Sequence, residues 1–397
     1  MLKGKNVVLG VTGGIAAYKA ADLASKLNKM GANVDVIMTK SATSFVTPLT
    51  FRSITGRPVV TDMFEEPAVV DIKHISLASK ADIFIVAPAT ANILGKVACG
   101  ICDDMLSTTI AATKSPVIFA PAMNTNMYEN PIIQENIEKL KKLGYLFVEP
   151  ECGRLACGTE GKGRLAENQV IIEKIVSEIC FKKDLLGKKV LVTAGPTREY
   201  LDPVRFISNP SSGKMGYAVA LAAKRRGADV VLISGPTNLT APEGVEMVYI
   251  NTAVEMYDEV LARAEDADII VKSAAVGDFR PVSMAEHKMK KDDVSKIELV
   301  KNPDILQEVC KKSKNAVVVG FCMETRDLEQ QAYTKLINKG ADFIVANNVA
   351  EEGSGFAGDN NTALIISKDG YLEHFGNMPK QELADIILNK AMEQKKA

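Results

Sequence analysis

Two stretches of the chain combine reactive, cationic and flexible residues at short spacing. The first is Glu151-Cys-Gly-Arg-Leu-Ala-Cys157-Gly-Thr-Glu-Gly-Lys-Gly-Arg164, with glycines at 153, 158, 161 and 163. Such a segment makes a flap able to close over a substrate. Arg154, Lys162 and Arg164 attract an anion and favour thiolate or hydrogen-bonded thiol chemistry at Cys157. The competing reading is a cationic surface loop with an idle cysteine. The second stretch, Ser273-Ala-Ala-Val-Gly-Asp278-Phe-Arg280, ends a strand just before the basic cluster Lys288, Lys290 and Lys291. Read sharply, it is a loop that grips a triphosphate, with Asp278 beside it to hold Mg²⁺; read plainly, it is a solvated charge run. Of the three histidines, His287 lies in a lysine-rich stretch and His374 near the C-terminus. That leaves His74 as the natural acid–base group of the N-terminal half.

Other motifs fail their context tests. Gly353-Ser-Gly355-Phe-Ala-Gly358 matches G-x-G-x-x-G but leads into a strand over 363–367 rather than opening a helix. Asn209-Pro-Ser-Ser-Gly213-Lys214-Met215 lacks the first glycine and the final Ser/Thr of a P-loop, yet suits a phosphate nest before the next helix. Cys99-Gly-Ile-Cys102 is followed by Cys152 and Cys157. Four cysteines could hold zinc, but the second pair is a CxxxxC, and Asp103-Asp104-Met105-Leu106 reads as a helix start.

The elements that must position these residues follow a strand, glycine turn, helix rhythm. Val7 to Val11 is an apolar run ending in Thr12-Gly13-Gly14, and Ala16, Ala20, Leu23, Leu27 and Met30 then fall on one helical face. Gly31 follows as a helix end, and 34–38 as a strand. The unit returns at Val190 to Gly195, with a helix over 216–226 and a strand over 230–233. Even the approaches match, Gly4-Lys5-Asn6-Val7 against Gly187-Lys188-Lys189-Val190. This predicts an α/β fold of two doubly wound, Rossmann-like domains with mainly parallel sheets, 1–185 and 186–397, divided in the charged stretch 181–187. Ligands of such sheets bind beyond the carboxyl ends of strands. The loops after Val11, Val86, Ala120, Thr193, Val271, Gly320 and Val345 are therefore where chemistry belongs.

Bulk composition removes several classes of function. With 397 residues, 48 Lys+Arg and 49 Asp+Glu, the net charge is −1, which gives no reason to expect nucleic acid or an anionic membrane as partner. No apolar run approaches a membrane span. The N-terminus runs straight into a strand without a secretory pattern. Seven scattered cysteines argue for a reducing compartment, the cytoplasm.

The residues also carry two resemblances. Thr12-Gly-Gly-Ile-Ala, His74, Ala87-Pro-Ala-Thr-Ala-Asn92, Pro121-Ala-Met-Asn124 and Gly153-Arg-Leu-Ala-Cys157-Gly resemble the flavin-containing cysteine decarboxylases, a flavodoxin-like family. Thr193-Ala-Gly-Pro-Thr-Arg, Arg205-Phe-Ile-Ser-Asn-Pro-Ser-Ser-Gly-Lys-Met-Gly216, Ala274-Ala-Val-Gly-Asp278, Lys288-Met-Lys-Lys291 and Asn302-Pro-Asp-Ile305 resemble phosphopantothenate–cysteine ligase. Both sets stand in order on one chain, so the whole is similar to the bacterial bifunctional decarboxylase–ligase family of coenzyme A synthesis.

The resemblance implies an FMN-dependent decarboxylase in the first domain and a CTP-dependent ligase in the second. In the first, the flavin oxidises the cysteinyl end to a thioaldehyde, CO₂ leaves, and the enethiol is re-reduced. His74 is then the base, Asn124 holds the substrate carboxylate and Cys157 donates a proton. Gly13 and Gly14 take the FMN phosphate, with Thr39, Ser41, Thr90 and Ser107 as further flavin contacts. In the second, CTP activates 4′-phosphopantothenate as an acyl-cytidylate, which cysteine converts to 4′-phosphopantothenoylcysteine. Asn209 handles that intermediate and Arg205 steadies its charge. Lys288 and Asp278 hold phosphates and Mg²⁺, and Ser273, Ala274, Ala275, Asn302, Pro303, Asp304, Ile305, Phe321, Lys335 and Lys339 complete the nucleotide site. The family usually has alanine at positions 99 and 102, so Cys99 and Cys102 are expected as buried small residues. The implied assembly is a homo-dodecamer of flavin-domain trimers and ligase-domain dimers. Two other readings stand beside this one: a flavoprotein that regulates by binding, with a degenerate second domain, and an NAD-dependent oxidoreductase.

Overall fold

The computed structural model describes residues 2–64, 72–154, 158, 160–290, 296–324, 327–348 and 358–394. The chain divides into two compact units, Met1–Lys182 and Lys183–Ala397.

The first unit is built on short apolar runs that recur after helical segments, a pattern that forces parallel pairing with helices on both faces. Its strands are β1 (Asn6–Val11), β2 (Asn33–Met38), β3 (Val59–Val60), β4 (Ile83–Ala89), β5 (Val117–Pro121) and β6 (Leu146–Phe147). They form one sheet in the order β3-β2-β1-β4-β5-β6, and every pairing is parallel. Alternation along the strands splits the core in two. Val7, Leu9 and Val11 face the layer that includes helix Ala17–Lys29, while Val8 faces the layer that includes helices Ala91–Cys99 and Met105–Ala112. A glycine-rich hairpin, β7 (Glu151–Arg154) with β8 (Glu160–Arg164), follows the sheet.

The second unit repeats the plan with more strands. These are β9 (Lys189–Ala194), β10 (Arg198–Tyr200), β11 (Phe206–Ser208), β12 (Asp229–Ser234), β13 (Glu246–Tyr249), β14 (Ile269–Lys272), β15 (Phe279–Pro281), β16 (Leu299–Lys301), β17 (Val317–Glu324), β18 (Phe343–Asn348), β19 (Asn360–Ser367) and β20 (Leu372–Pro379). The main sheet runs β13-β12-β9-β14-β17-β18-β19-β20. It is parallel except where β19 pairs antiparallel with β18 and β20. Two small antiparallel ribbons, β10–β11 and β15–β16, stand on the connections after β9 and β14.

The predicted strand–helix pairs fall within one or two residues of the observed ones: helix Ala17–Lys29, helix Lys214–Arg225, and β2 and β12. Three expected loops are corrected, the first being the one after Val86, where β4 continues to Ala89. Phe321 to Glu324 and Ala346 to Asn348 continue β17 and β18 instead of leaving the sheet. Parallel pairing of Phe321 with Val345 and of Met323 with Asn347 satisfies their backbone, so small and amide residues there need no turn. Among the described residues no helix is long and apolar enough to cross a membrane.

Candidate active sites

In an open α/β sheet, the crevice opens where strand order reverses. In the first unit that point lies between β1 and β4. The buried Thr12 hydroxyl spans it, donating to the Pro88 carbonyl at 2.7 Å and accepting from the Thr90 N–H at 3.2 Å. Gly13 is dictated by close approach. A Cβ there would lie 2.3 Å from the Cβ of Ser41 and 2.8 Å from its carbonyl carbon. Gly14 sits against Thr90, and Thr39 donates its N–H to the Val11 carbonyl at 3.0 Å. So Gly13, Gly14, Thr39, Ser41 and Thr90 gather at one sheet end. Ser107 is engaged elsewhere: it is buried as the N3 partner of Asp104 in the capping box of helix Met105–Ala112.

The hairpin crosses the loop after β5. The Met123 N–H donates to the Gly163 carbonyl at 3.0 Å, and a Cβ on Gly163 would meet the Met123 oxygen at 2.3 Å. Only glycine allows this contact, which sets β8 against Asn124. The Asn124 side chain caps helix Thr125–Tyr128, accepting from the Asn126 N–H at 2.9 Å. Beside it, the Thr125 hydroxyl is buried with no partner among the described residues. Glu149 anchors the hairpin, accepting from Tyr128 at 2.8 Å, Lys162 at 3.0 Å and Lys141 at 3.2 Å. Burial alone would raise the Glu149 pKa, but these three donors hold it at about 2. Cys157 lies outside the described residues, as do Lys291 and residues 353–357 of the rejected glycine motif. His74 is half-buried in the first turn of helix Lys73–Lys80 and makes no hydrogen bond to a described residue.

Cys99 and Cys102 are not buried; both are exposed. Cys99 closes helix Ala91–Cys99 before the left-handed Gly100, and Cys102 follows in the connection to the Asp104 cap. The helix end turns both away from the core.

The second unit has its reversal between β9 and β14, and the loops there are stitched together. Ser273 donates its hydroxyl to the Thr193 carbonyl at 2.7 Å, and the Ala275 N–H donates to the Gly195 carbonyl at 2.9 Å. The Gly277 N–H donates to the Thr197 hydroxyl at 3.0 Å. Asn302 reaches the same loop, donating its amide to the Gly277 carbonyl at 2.8 Å. Above it Asn209 donates to the carbonyls of Ala275, 3.4 Å, and Val276, 3.1 Å.

These residues line a cavity of about 890 Å³. Asn209, Ser273, Ala274, Ala275, Asp278, Asn302, Pro303, Asp304, Ile305, Phe321, Lys335 and Lys339 all belong to its wall. Sequence reasoning missed Lys272, Asn361 and Lys380, which line it too, and Asn347, from the expected segment after Val345, joins them. Asn347 and Lys380 are each only 7% exposed, and the Asn347 Oδ1 has no partner among the described residues. Lysines outnumber acids in this wall, a composition that suits an anion.

Arg205 and Lys288 stand outside that wall. Arg205 donates its Nε to the fully buried Asp202 at 2.8 Å and its terminal amine to the Met289 carbonyl. Asp202 also accepts from the Met289 N–H at 3.2 Å. Burial would raise the Asp202 pKa, but the N–H groups of Val204 and Arg205, the Arg205 guanidinium and the Met289 N–H keep it at about 2. The exposed Lys288 therefore rides on a strap tied to β10–β11 through Asp202 and Arg205.

Fold and sites define a flavoprotein-type α/β unit joined to a second α/β unit with a lysine-rich cavity. The first matches the family model "Flavoprotein" over residues 1–180, and the second matches "DNA/pantothenate metabolism flavoprotein C-terminal domain" over 185–394. The chain belongs to the family of coenzyme A biosynthesis bifunctional proteins. It is 48% identical to the CoaBC protein of that name from Bacillus subtilis, covering 98% of this chain and 97% of the relative. It is 44% identical to the one from Vibrio cholerae, with 99% of each covered. A crystal structure of the C-terminal domain of such a protein is 38% identical and covers 54% of this chain and 98% of its own, with a TM-score of 0.47.

Proposed function

We propose that the chain carries out two consecutive reactions of coenzyme A synthesis. Its second unit joins 4′-phosphopantothenate to cysteine with CTP and Mg²⁺, through an acyl-cytidylate. Its first unit decarboxylates the resulting 4′-phosphopantothenoylcysteine with FMN. The observation that carries this reading is the match to bifunctional relatives from end to end, with both switch-point sites present on one chain.

The residues suit the groups they would hold. Gly13 packs directly on Ser41, while the Cβ side of Gly14 is nearly open, with helix Ala17–Lys29 starting just beyond, an arrangement that suits a phosphate. FMN supplies the electron sink that a carboxylate needs in order to leave and that side chains lack. Asn124 orients the substrate carboxylate beneath the hairpin, His74 takes up a proton, and Cys157 delivers one. In the second unit the Asp278 carboxylate bonds no described residue, which leaves it for a divalent cation on the phosphates. Asn209 positions the activated carboxyl over the Ala275–Val276 carbonyls. Arg205 acts through the strap, fixing Lys288 for the phosphates. Flavin-unit trimers and ligase-unit dimers in a dodecamer complete the proposal.

The test is direct. The purified protein is expected to show a flavin spectrum. Given 4′-phosphopantothenate, cysteine, Mg²⁺ and CTP, it is expected to release both pyrophosphate and CO₂. Nicotinamide turnover without flavin, or no CTP consumption, would overturn the reading.

A further inference from the structure

Lys272 is the last residue of β14 and the one before the Ser273 to Asp278 loop. Along β14, Ile269 and Val271 pack into one core layer and Ile270 into the other. Alternation puts Lys272 on the Ile270 side, toward the layer that holds helix Leu328–Lys339. A strand interior at this position would call for an apolar residue. Instead a half-buried amine opens onto the cavity and makes no hydrogen bond or ion pair with any described residue.

Its surroundings do not neutralise it. Lys335, on the same cavity wall, also lacks a partner among the described residues. Asp304, the nearby acid, is already committed to Lys339 and to the Gln307 N–H, 3.0 Å away. Burial first, and then the Lys335 ammonium, push the Lys272 amine down to about 8, against the pull of Asp304 and Asp278. Two ammonium groups at one wall, repelling each other and in direct contact with no carboxylate among the described residues, are costly unless a ligand brings further negative charge.

We propose that Lys272 is a phosphate-binding residue of the ligase cavity, acting with Lys335 on an anionic phosphate of a substrate. This rests on the ligase reading above. The two substrates that bear phosphate are the nucleotide and the phosphorylated acid. The triphosphate is the expected one, because its charge matches a wall shared by Lys272, Lys335 and Lys339. A phosphate's oxygens accept from several ammoniums at once and relieve their repulsion on binding.

The experiment uses the full chain and three probes in equilibrium titrations: inorganic pyrophosphate, CTP with Mg²⁺, and 4′-phosphopantothenate. Lys272→Met, which keeps length and loses charge, is expected to weaken pyrophosphate binding and one substrate about tenfold or more. Lys272→Arg is expected to stay within a few-fold of the parent. The substrate that weakens names the source: CTP for the triphosphate, 4′-phosphopantothenate for the monoester. Unchanged visible absorption and thermal unfolding show that the variant is folded. Pyrophosphate and both substrates binding Lys272→Met as well as the parent would overturn the proposal, as would equal losses in Lys272→Arg and Lys272→Met. If the parent binds pyrophosphate but never consumes CTP, the ligase reading fails while the pyrophosphate arm still decides the role of Lys272.

Discussion

The role proposed for Asn209 needs no charge on the side chain. Its amide spans two backbone carbonyls of the Ala275–Val276 turn. An Asn209→Asp substitution keeps the shape but replaces two N–H donors with an acceptor facing two acceptors. Amide formation is expected to fall about a hundredfold or more, roughly the loss of two such bonds in the transition state. CO₂ release from supplied 4′-phosphopantothenoylcysteine should not change. Pyrophosphate and amide formation at the parental rate would remove Asn209 from the mechanism. Ser273 to Asp278 was legible from the sequence as a strand-end loop ahead of a basic cluster, whereas Asn302 to Ile305, Phe321, Lys335 and Lys339 came from the family resemblance, and the last three of these lie within a strand and a helix. Lys272 was not legible: a lysine that closes an apolar run reads as a strand end meeting solvent. Only the cavity, and the lack of an ion pair with any described residue, mark it out.

Packing between elements decides the hairpin. Gly163 lies on the Met123 carbonyl, so Gly163→Ala must push β8 off the Asn124 loop. The expected cost is about 1–3 kcal/mol of stability, with decarboxylation falling more than ligation; equal losses in both would mean global damage. The same hairpin is latched by Glu149, and that latch has a pH signature. Its carboxyl is held at about 2 in the folded protein, below the usual carboxylate range. A lowered pKa gives stability that is fully present above the usual range and is lost as pH falls toward 2. Glu149 is 50% exposed, so solvent screening leaves about 1 kcal/mol at neutral pH. Glu149→Gln should lose that amount at pH 7 and match the parent near pH 2, as read by denaturant unfolding. A difference that persists in acid would show that packing, rather than charge, holds the hairpin. At this scale the sequence was readable wherever a period was clear, as in β1, β2 and helix Ala17–Lys29. It was opaque for the ribbons β10–β11 and β15–β16. Three-residue strands carry too little alternation to be seen, and β10–β11 forms where Arg198 to Tyr200 meets Phe206 to Ser208 across a turn held by Asp202.

For the whole molecule, the question is why two chemistries share a chain. Each unit has its own sheet, its own reversal point and its own core, and the residues assigned to each activity fall within one unit. Repetition of Gly-Lys-x-x before β1 and β9 made this division visible in the sequence, because both units open on an equivalent strand. If the units act independently, with the product of the second as substrate of the first, the two activities should separate and recombine. Asn209→Asp should decarboxylate supplied 4′-phosphopantothenoylcysteine but make no CO₂ from 4′-phosphopantothenate, cysteine and CTP. Cys157→Ser should consume CTP and accumulate the cysteine adduct without releasing CO₂. Mixed in equal amounts, the two variants should restore CO₂ release after a lag, while the adduct builds up in solution. A mixture with no lag would mean that the adduct passes directly between units of mixed oligomers. A mixture that never releases CO₂ would mean that both substitutions damage one shared site, and the two-unit account of the chain would fall.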